Sequence, residues 1–188
     1  MKTPSFNYSI EPWVTTRENV EYTTNIFKVL SREMEIPSEG HNGVFSILDC
    51  PEWVNVIALA QNGDIILVEQ YRFGIEQPSL ELPGGICDPG EDILETAKRE
   101  LLEETGYSSD EWISLGKVAA NPAMQNNYNH TYLAKGCIKT EEQDLDESER
   151  IHVHTMELVK FLDMVGRGEV THSLMVAAIG KFLLSEYS

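Results

Sequence analysis

The chain has 188 residues, 41% hydrophobic and 24% charged, a balance that suits a folded domain with a buried core and excludes wholesale disorder. Its formal net charge of −17 excludes the usual route to nucleic-acid polymers, in which Lys and Arg neutralise phosphates. A small anion would be repelled as well unless a cation reversed the sign locally.

The first stretch, 1–19, is polar and aromatic without the apolar core of a secretory signal, and no run approaches the ~20 apolar residues that cross a bilayer. The cytoplasm is therefore the expected compartment. Residues 20–32 are rich in β-branched and aromatic side chains and predict strand, 38–43 a turn, and 44–48 a second strand. Residues 53–60 and 65–71 are apolar runs joined by Gln61-Asn62-Gly63-Asp64, where Asn-Gly predicts a hairpin through positive φ. Pro83-Gly84-Gly85 and Asp88-Pro89-Gly90 read as sharp turns. A helix is predicted over 92–105, with Ile93, Leu94, Ala97 and Leu101 on its apolar face and Gly106 as a left-handed cap. Strands follow at 112–119 and 131–138, then an acidic run at 141–149, a strand at 151–154, and helices at 156–165 and 174–184. The order predicts an α+β sandwich, with residues 1–50 as an N-terminal β extension and 51–188 as the main domain. Cys50, Cys87 and Cys137, odd in number and without a CxxC pair, are expected to be free thiols.

Chemistry concentrates on the central helix. Glu100, Glu103 and Glu104 stand at i, i+3 and i+4, so they share one face and repel one another. Taken alone they describe a solvated acidic face. Facing a cation, three carboxylates are hard oxygen ligands of the kind Mg²⁺, Mn²⁺ or Ca²⁺ takes. His152 and His154 alternate on one strand, but two histidines without a third ligand read as surface residues.

The context of the acidic face is specific. Gly85 is followed after five residues by Glu91, and after seven more by Arg99-Glu100-Leu101-Leu102-Glu103-Glu104-Thr105-Gly106-Tyr107. This resembles the Nudix box, departing only at its last position, where Tyr107 replaces an aliphatic residue. The resemblance implies a Nudix α/β/α sandwich with a mixed central sheet, and hydrolysis of a diphosphate bridge aided by Mg²⁺ (Mn²⁺ possible). It implies metal binding by Glu100, Glu103, Glu104 and a carbonyl near Gly84, with Arg99 holding a glutamate and Glu91 orienting the loop or completing the metal shell.

Glu69-Gln70-Tyr71-Arg72, Glu81-Leu82-Pro83-Gly84-Gly85, and Pro122 beyond the box resemble the branch acting on ADP-ribose and nucleotide sugars. For that branch Arg72 is the candidate phosphate ligand, with Glu81, Pro122, Asn126, Asn127 and His130 as further substrate contacts. In the acidic run, Glu147 resembles the general base and Glu149 an additional metal ligand; Asp144 and Asp146 are the nearest alternatives, and a box glutamate such as Glu103 is another candidate base. The branch also implies a homodimer that exchanges N-terminal strands, with Trp13 of one subunit against the nucleobase held by the other. The expected substrate is a nucleoside diphosphate sugar, ADP-ribose first and GDP-mannose next. Hydrolysis of nucleoside triphosphates or dinucleoside polyphosphates, and a regulatory domain that binds without turnover, are the alternatives.

Overall fold

The structure is a computed structural model describing residues 6–145, 147 and 149–185. The chain divides into two compact units, one of residues up to Cys50 with Asn121–Asn126, the other of Pro51–Ala120 with Asn127 onward.

In the first unit, β1 (Val14–Thr23), β2 (Lys28–Ile36) and β3 (His41–Asp49) form an antiparallel sheet in the order β1-β2-β3. The run read as strand over 20–32 is thus the turn of a hairpin. Thr24 folds it: its Oγ1 accepts from the N–H groups of Ile26 and Phe27 at 3.1 and 2.8 Å, a local side-chain turn that residue-type counting does not detect. The segment Asn121–Asn126 joins this unit, with Leu48 N–H donating to the Met124 carbonyl (2.7 Å) and Cys50 N–H to Asn126 Oδ1 (3.1 Å).

The second unit contains β4 (Trp53–Ala60), β5 (Asp64–Arg72), β6 (Gln77–Glu81), α1 (Ile93–Thr105), β7 (Tyr107–Ser108), β8 (Glu111–Ala119), β9 (Tyr128–Lys139), β10 (His152–Glu157), α2 (Leu158–Gly166) and α3 (Ser173–Ser185). Its sheet runs β10-β5-β4-β9-β7, with β6 on β5 and β8 on β9. The β4–β9 pair is parallel and the others antiparallel, so the sheet is mixed as expected. Alternation along β4 divides the core. Val54, Val56 and Ala58 meet Ala97 and Leu101 of α1, while Ile57 meets Phe161 of α2 and Met175, Ala178, Ile179 and Phe182 of α3. The α/β/α sandwich follows from burying both faces of β4.

The hairpin between β4 and β5 lies where Asn-Gly placed it, but only Gly63 takes positive φ (87°); Asn62 instead accepts from Asp64 N–H at 3.1 Å. The strand β6, too polar to show alternation, was not anticipated. In α1, Asp92 caps the N-terminus by accepting from Leu94 and Glu95 N–H groups. Leu94 is half-buried outside the cluster formed by Ile93, Ala97 and Leu101. Gly106, at φ 73°, closes the helix by donating to the Leu102 carbonyl (2.7 Å), and a Cβ there would stand 2.2 Å from the Glu141 carbonyl oxygen. The cap therefore also holds the chain that enters the acidic run. Gly106→Ala is expected to lose at least about 1–2 kcal/mol, the cost of a left-handed non-glycine residue, plus the clash, as read by urea unfolding; an unchanged midpoint would reject this role.

Candidate active site

Three pieces of the second unit build the site: the Pro83–Gly85 leg, one face of α1, and the acidic run. The leg lies beside β4, with Val56 N–H donating to Pro83 carbonyl (2.8 Å) and Val54 N–H to Gly85 carbonyl (3.0 Å). Between them Gly84 adopts φ 152°, where a Cβ would meet the Val54 carbonyl oxygen at 2.1 Å. Its N–H donates to Glu104 Oε2 at 2.8 Å. At Gly85 a Cβ would stand 2.5 Å from Glu100 Oε1. Both glycines are thus required by close approach, one to a strand and one to a carboxylate.

Arg99 organises the acidic face. Its Nε and Nη2 donate to the two oxygens of Glu91 (3.0 and 3.1 Å), Nη2 also to the Ile86 carbonyl (3.2 Å), and Nη1 to Glu100 Oε1 and Glu103 Oε2 (3.0 Å each). All five guanidinium N–H groups are engaged. Glu91 additionally accepts from Thr96 Oγ1 (2.8 Å) and Asp88 N–H (3.2 Å). The Arg99 hydrogen bond leads the causes that hold the Glu91 carboxyl down at about 2. Arg99 thus links Glu91 of the loop before α1 to Glu100 and Glu103 on the helix.

The remaining carboxylates carry the opposite perturbation. Burial, reinforced by the charges of Glu100 and Glu149, pushes Glu104 up to about 8 against the opposing Gly84 N–H. Burial pushes Glu100 up to about 7, with Glu103 and Glu149 adding to it and Arg99 resisting. Arg99, Glu100, Glu103, Glu104, Asp144, Leu145 and Glu149 line one pocket of about 170 Å³. Among the described residues no group of His, Cys, Asp or Glu forms a ready metal cage; Arg99 Nη1 stands between Glu100 and Glu103. The donor set nevertheless fits a hard dication: oxygen ligands, two of them held where their own charge is unfavourable.

Gln143, which no motif marked, pins the acidic run to α1: its Nε2 donates to the Glu104 carbonyl at 2.6 Å and to the Ile151 carbonyl at 3.3 Å. Asp144 N–H donates to the Glu103 carbonyl (2.9 Å). Glu149 is half-buried and reaches Glu100 and Glu104 electrostatically, whereas Glu147 is exposed, its carbonyl accepting from Arg150. Asp146 lies outside the described residues.

Arg72, at the end of β5, is bound bidentately by fully buried Glu81 of β6, and its charge reaches Glu104. Of the other anticipated substrate contacts in this unit, Asn127 is buried and donates to the Pro51 carbonyl (2.7 Å), and His130 Nε2 is 2.6 Å from Glu52. Pro122 is exposed and Asn126 donates to Asp49 Oδ1 (2.7 Å), both within the first unit. Trp13, also there, packs edge-on against His41 and Phe45. His154 pairs with Glu69 at 2.8 Å. The three cysteines are free thiols, and among the described residues no helix is long and apolar enough to cross a membrane.

A mixed sheet lies between helices, with a glutamate-faced helix beside a double-glycine leg. The NUDIX domain model matches residues 51–174, and the chain belongs to the Nudix family. It is 32% identical to the methanol dehydrogenase activator of Bacillus methanolicus, covering 88% of this chain and 89% of that protein. It is 29% identical to the ADP-ribose pyrophosphatase of Bacillus subtilis, over 95% and 96%. A crystal structure of an ADP compounds hydrolase superposes with a TM-score of 0.80 at 24% identity, covering 96% of both chains, a likeness of fold.

The carboxyl perturbations set a pH dependence. Glu100 and Glu104 are raised from 4.5, so their contribution to stability is complete below about 4.5 and is lost as pH rises through 7–8. In chelator, the melting temperature is expected to fall between about pH 5 and 8; a flat profile would contradict the burial of these charges.

Proposed function

We propose that this chain hydrolyses the diphosphate bridge of ADP-ribose, or of a related nucleoside diphosphate sugar such as GDP-mannose, to a nucleoside monophosphate and a sugar phosphate with Mg²⁺ (Mn²⁺ as substitute). The observation that carries the reading is one pocket lined by half-buried Glu100 and buried Glu104, whose carboxylates lie against the Gly84–Gly85 leg. The near full-length similarity to an ADP-ribose pyrophosphatase supports the substrate class.

In this reading Glu100, Glu104 and Glu149, with Glu103 once it leaves Arg99 and the carbonyl of Gly84, hold the cation. When bound, the metal would neutralise the phosphate oxygens and acidify a water. The chain's own residues supply the rest. Gly84 N–H fixes the Glu104 carboxylate, and Arg99 fixes Glu91 and spaces Glu100 from Glu103. Arg72 offers a positive charge to a substrate phosphate. Glu147, exposed on the acidic run, or Glu103, half-buried in the pocket lining, takes the proton of the attacking water.

The first unit supports a dimer. Its strands expose Val14, Tyr22 and Val44 on one face of the sheet at 49–69%, a surface that a second copy would cover through exchanged N-terminal strands, with Trp13 reaching the partner's nucleobase. Sedimentation equilibrium reporting only monomer at micromolar concentration would reject this.

The test is turnover with Mg²⁺ of ADP-ribose, GDP-mannose, a dinucleoside polyphosphate and a nucleoside triphosphate, with products identified by mass, for wild type and Glu104→Gln. Nucleoside monophosphate from the sugar nucleotides alone is expected. Glu104→Gln keeps an acceptor for Gly84 N–H but removes the buried charge. It should therefore melt no lower than wild type in chelator at pH 8, lose the stabilisation Mg²⁺ confers, and fall by orders of magnitude in turnover. Retained activity with normal Mg²⁺ dependence would overturn the ligand assignment.

A further inference from the structure

Glu81 is 0% exposed, the more deeply buried of the two buried glutamates among the described residues, the other being Glu104. Both its oxygens are engaged differently: Oε1 accepts from Arg72 Nε at 2.8 Å and Oε2 from Arg72 Nη2 at 2.5 Å, with the Ser79 hydroxyl adding a further hydrogen bond. Burial alone would raise its carboxyl, but the Arg72 hydrogen bonds and charge prevail and hold it below the usual range. A carboxylate so occupied has little left to give a metal or a substrate hydroxyl. This departs from its expected role as a direct substrate contact.

The consequence lies on the arginine. A guanidinium has five N–H groups, and the fork with Glu81 uses two, along the Nε–Nη2 edge. The terminal Nη1–Nη2 edge keeps a parallel pair of donors, and Nη1 has no partner among the described residues. Arg72 alternates onto the same face of β5 as Ile66, which packs with α1; its side chain is 40% exposed and its charge reaches Glu104, so the guanidinium lies on the α1 side of the sheet. The register shows why a tether is needed: Arg72 stands opposite Gln77, whereas Glu81 stands opposite Val68, so the arginine side chain runs back along β5 rather than out into solvent.

We propose that Glu81 is a positioning residue: it clamps one edge of the Arg72 guanidinium so that the other edge is presented as a preformed bidentate ligand for a substrate phosphate. The inference rests on the diphosphate-hydrolase reading, which it deepens. It explains why the residue must be arginine, since an ammonium cannot hold a carboxylate through one edge and a phosphate through another. A preordered fork also avoids the entropy of fixing a long side chain at each binding event.

The test is a double-substitution cycle on the full chain: wild type, Glu81→Gln, Arg72→Ala and the double variant, with Arg72→Lys as a fifth protein. Steady-state kinetics with ADP-ribose and Mg²⁺ are read beside calorimetric affinity for magnesium pyrophosphate and melting temperature in chelator. The expected result is a KM increase of about 10- to 100-fold for Glu81→Gln, the scale of a charge-assisted hydrogen-bond pair, with kcat affected far less. The double variant should match Arg72→Ala, and Arg72→Lys should lose nearly as much as Arg72→Ala. Equal, additive losses from Glu81→Gln in both backgrounds, or wild-type KM in Arg72→Lys, would overturn the clamp; the lysine variant keeps the surface charge and decides the matter even if Glu81→Gln fails to fold. Absence of ADP-ribose turnover by wild type would sink the functional reading alone, because pyrophosphate affinity across the same five proteins still reads the clamp.

Discussion

The site is organised by one cation inside an acidic cluster. Three glutamates on one face of α1 would repel one another, and burial of two of them makes their charge dearer still. Arg99 is the counterweight. With all five N–H groups engaged, it ties Glu91 from the loop before the helix to Glu100 and Glu103 on the helix. The loop, the helix face and the Ile86 carbonyl are thereby fixed in one frame. The arrangement stays locally unbalanced at Glu100 and Glu104, whose carboxyls burial drives up toward neutral pH. An excess of buried negative potential beside an open pocket is a state that a dication would relieve.

That frame depends on backbone as much as on charge. Gly84 lies so near β4 that a Cβ would overlap a strand carbonyl, and Gly85 lies so near Glu100 that a Cβ would displace its carboxylate. Gly106 allows the same intimacy at the other end of α1, where the chain turns toward the acidic run. Gln143 then holds that run against the last turn of the helix by donating to the Glu104 carbonyl. The helix, anchored through Ala97 and Leu101 on the sheet, is a rigid rod from which the carboxylates project and against which both loops are measured.

Much of this was legible in the residues. Apolar runs located β4 and β5 to within a residue, the apolar face from Ile93 and the Gly106 stop bounded α1, and the spacing of Gly85, Glu91 and Arg99 through Glu104 placed the acidic face. The failures share a cause. The turn at Thr24 depends on one hydroxyl bonding two backbone N–H groups, β6 has no alternation of its own and exists because β5 offers it an edge, and Asn62 satisfies its neighbour through its side chain rather than through positive φ. Each depends on a particular hydrogen bond, which residue type alone does not specify.

The chain by itself determined the helix that carries the carboxylates, their common face, the glycines beside them and the family to which they belong, because helical periodicity and backbone sterics act over a few residues and are written in local order. Only the tertiary structure decided which acids are frustrated and which are satisfied. Glu81, Glu91 and Glu104 are the same residue type within one short stretch of chain, yet Glu81 is locked to Arg72, Glu91 to Arg99, and Glu104 is left buried against a single backbone N–H at the pocket. The difference lies in burial and in partners brought from β5, from α1 and from the glycine leg, and both are set by packing between those elements.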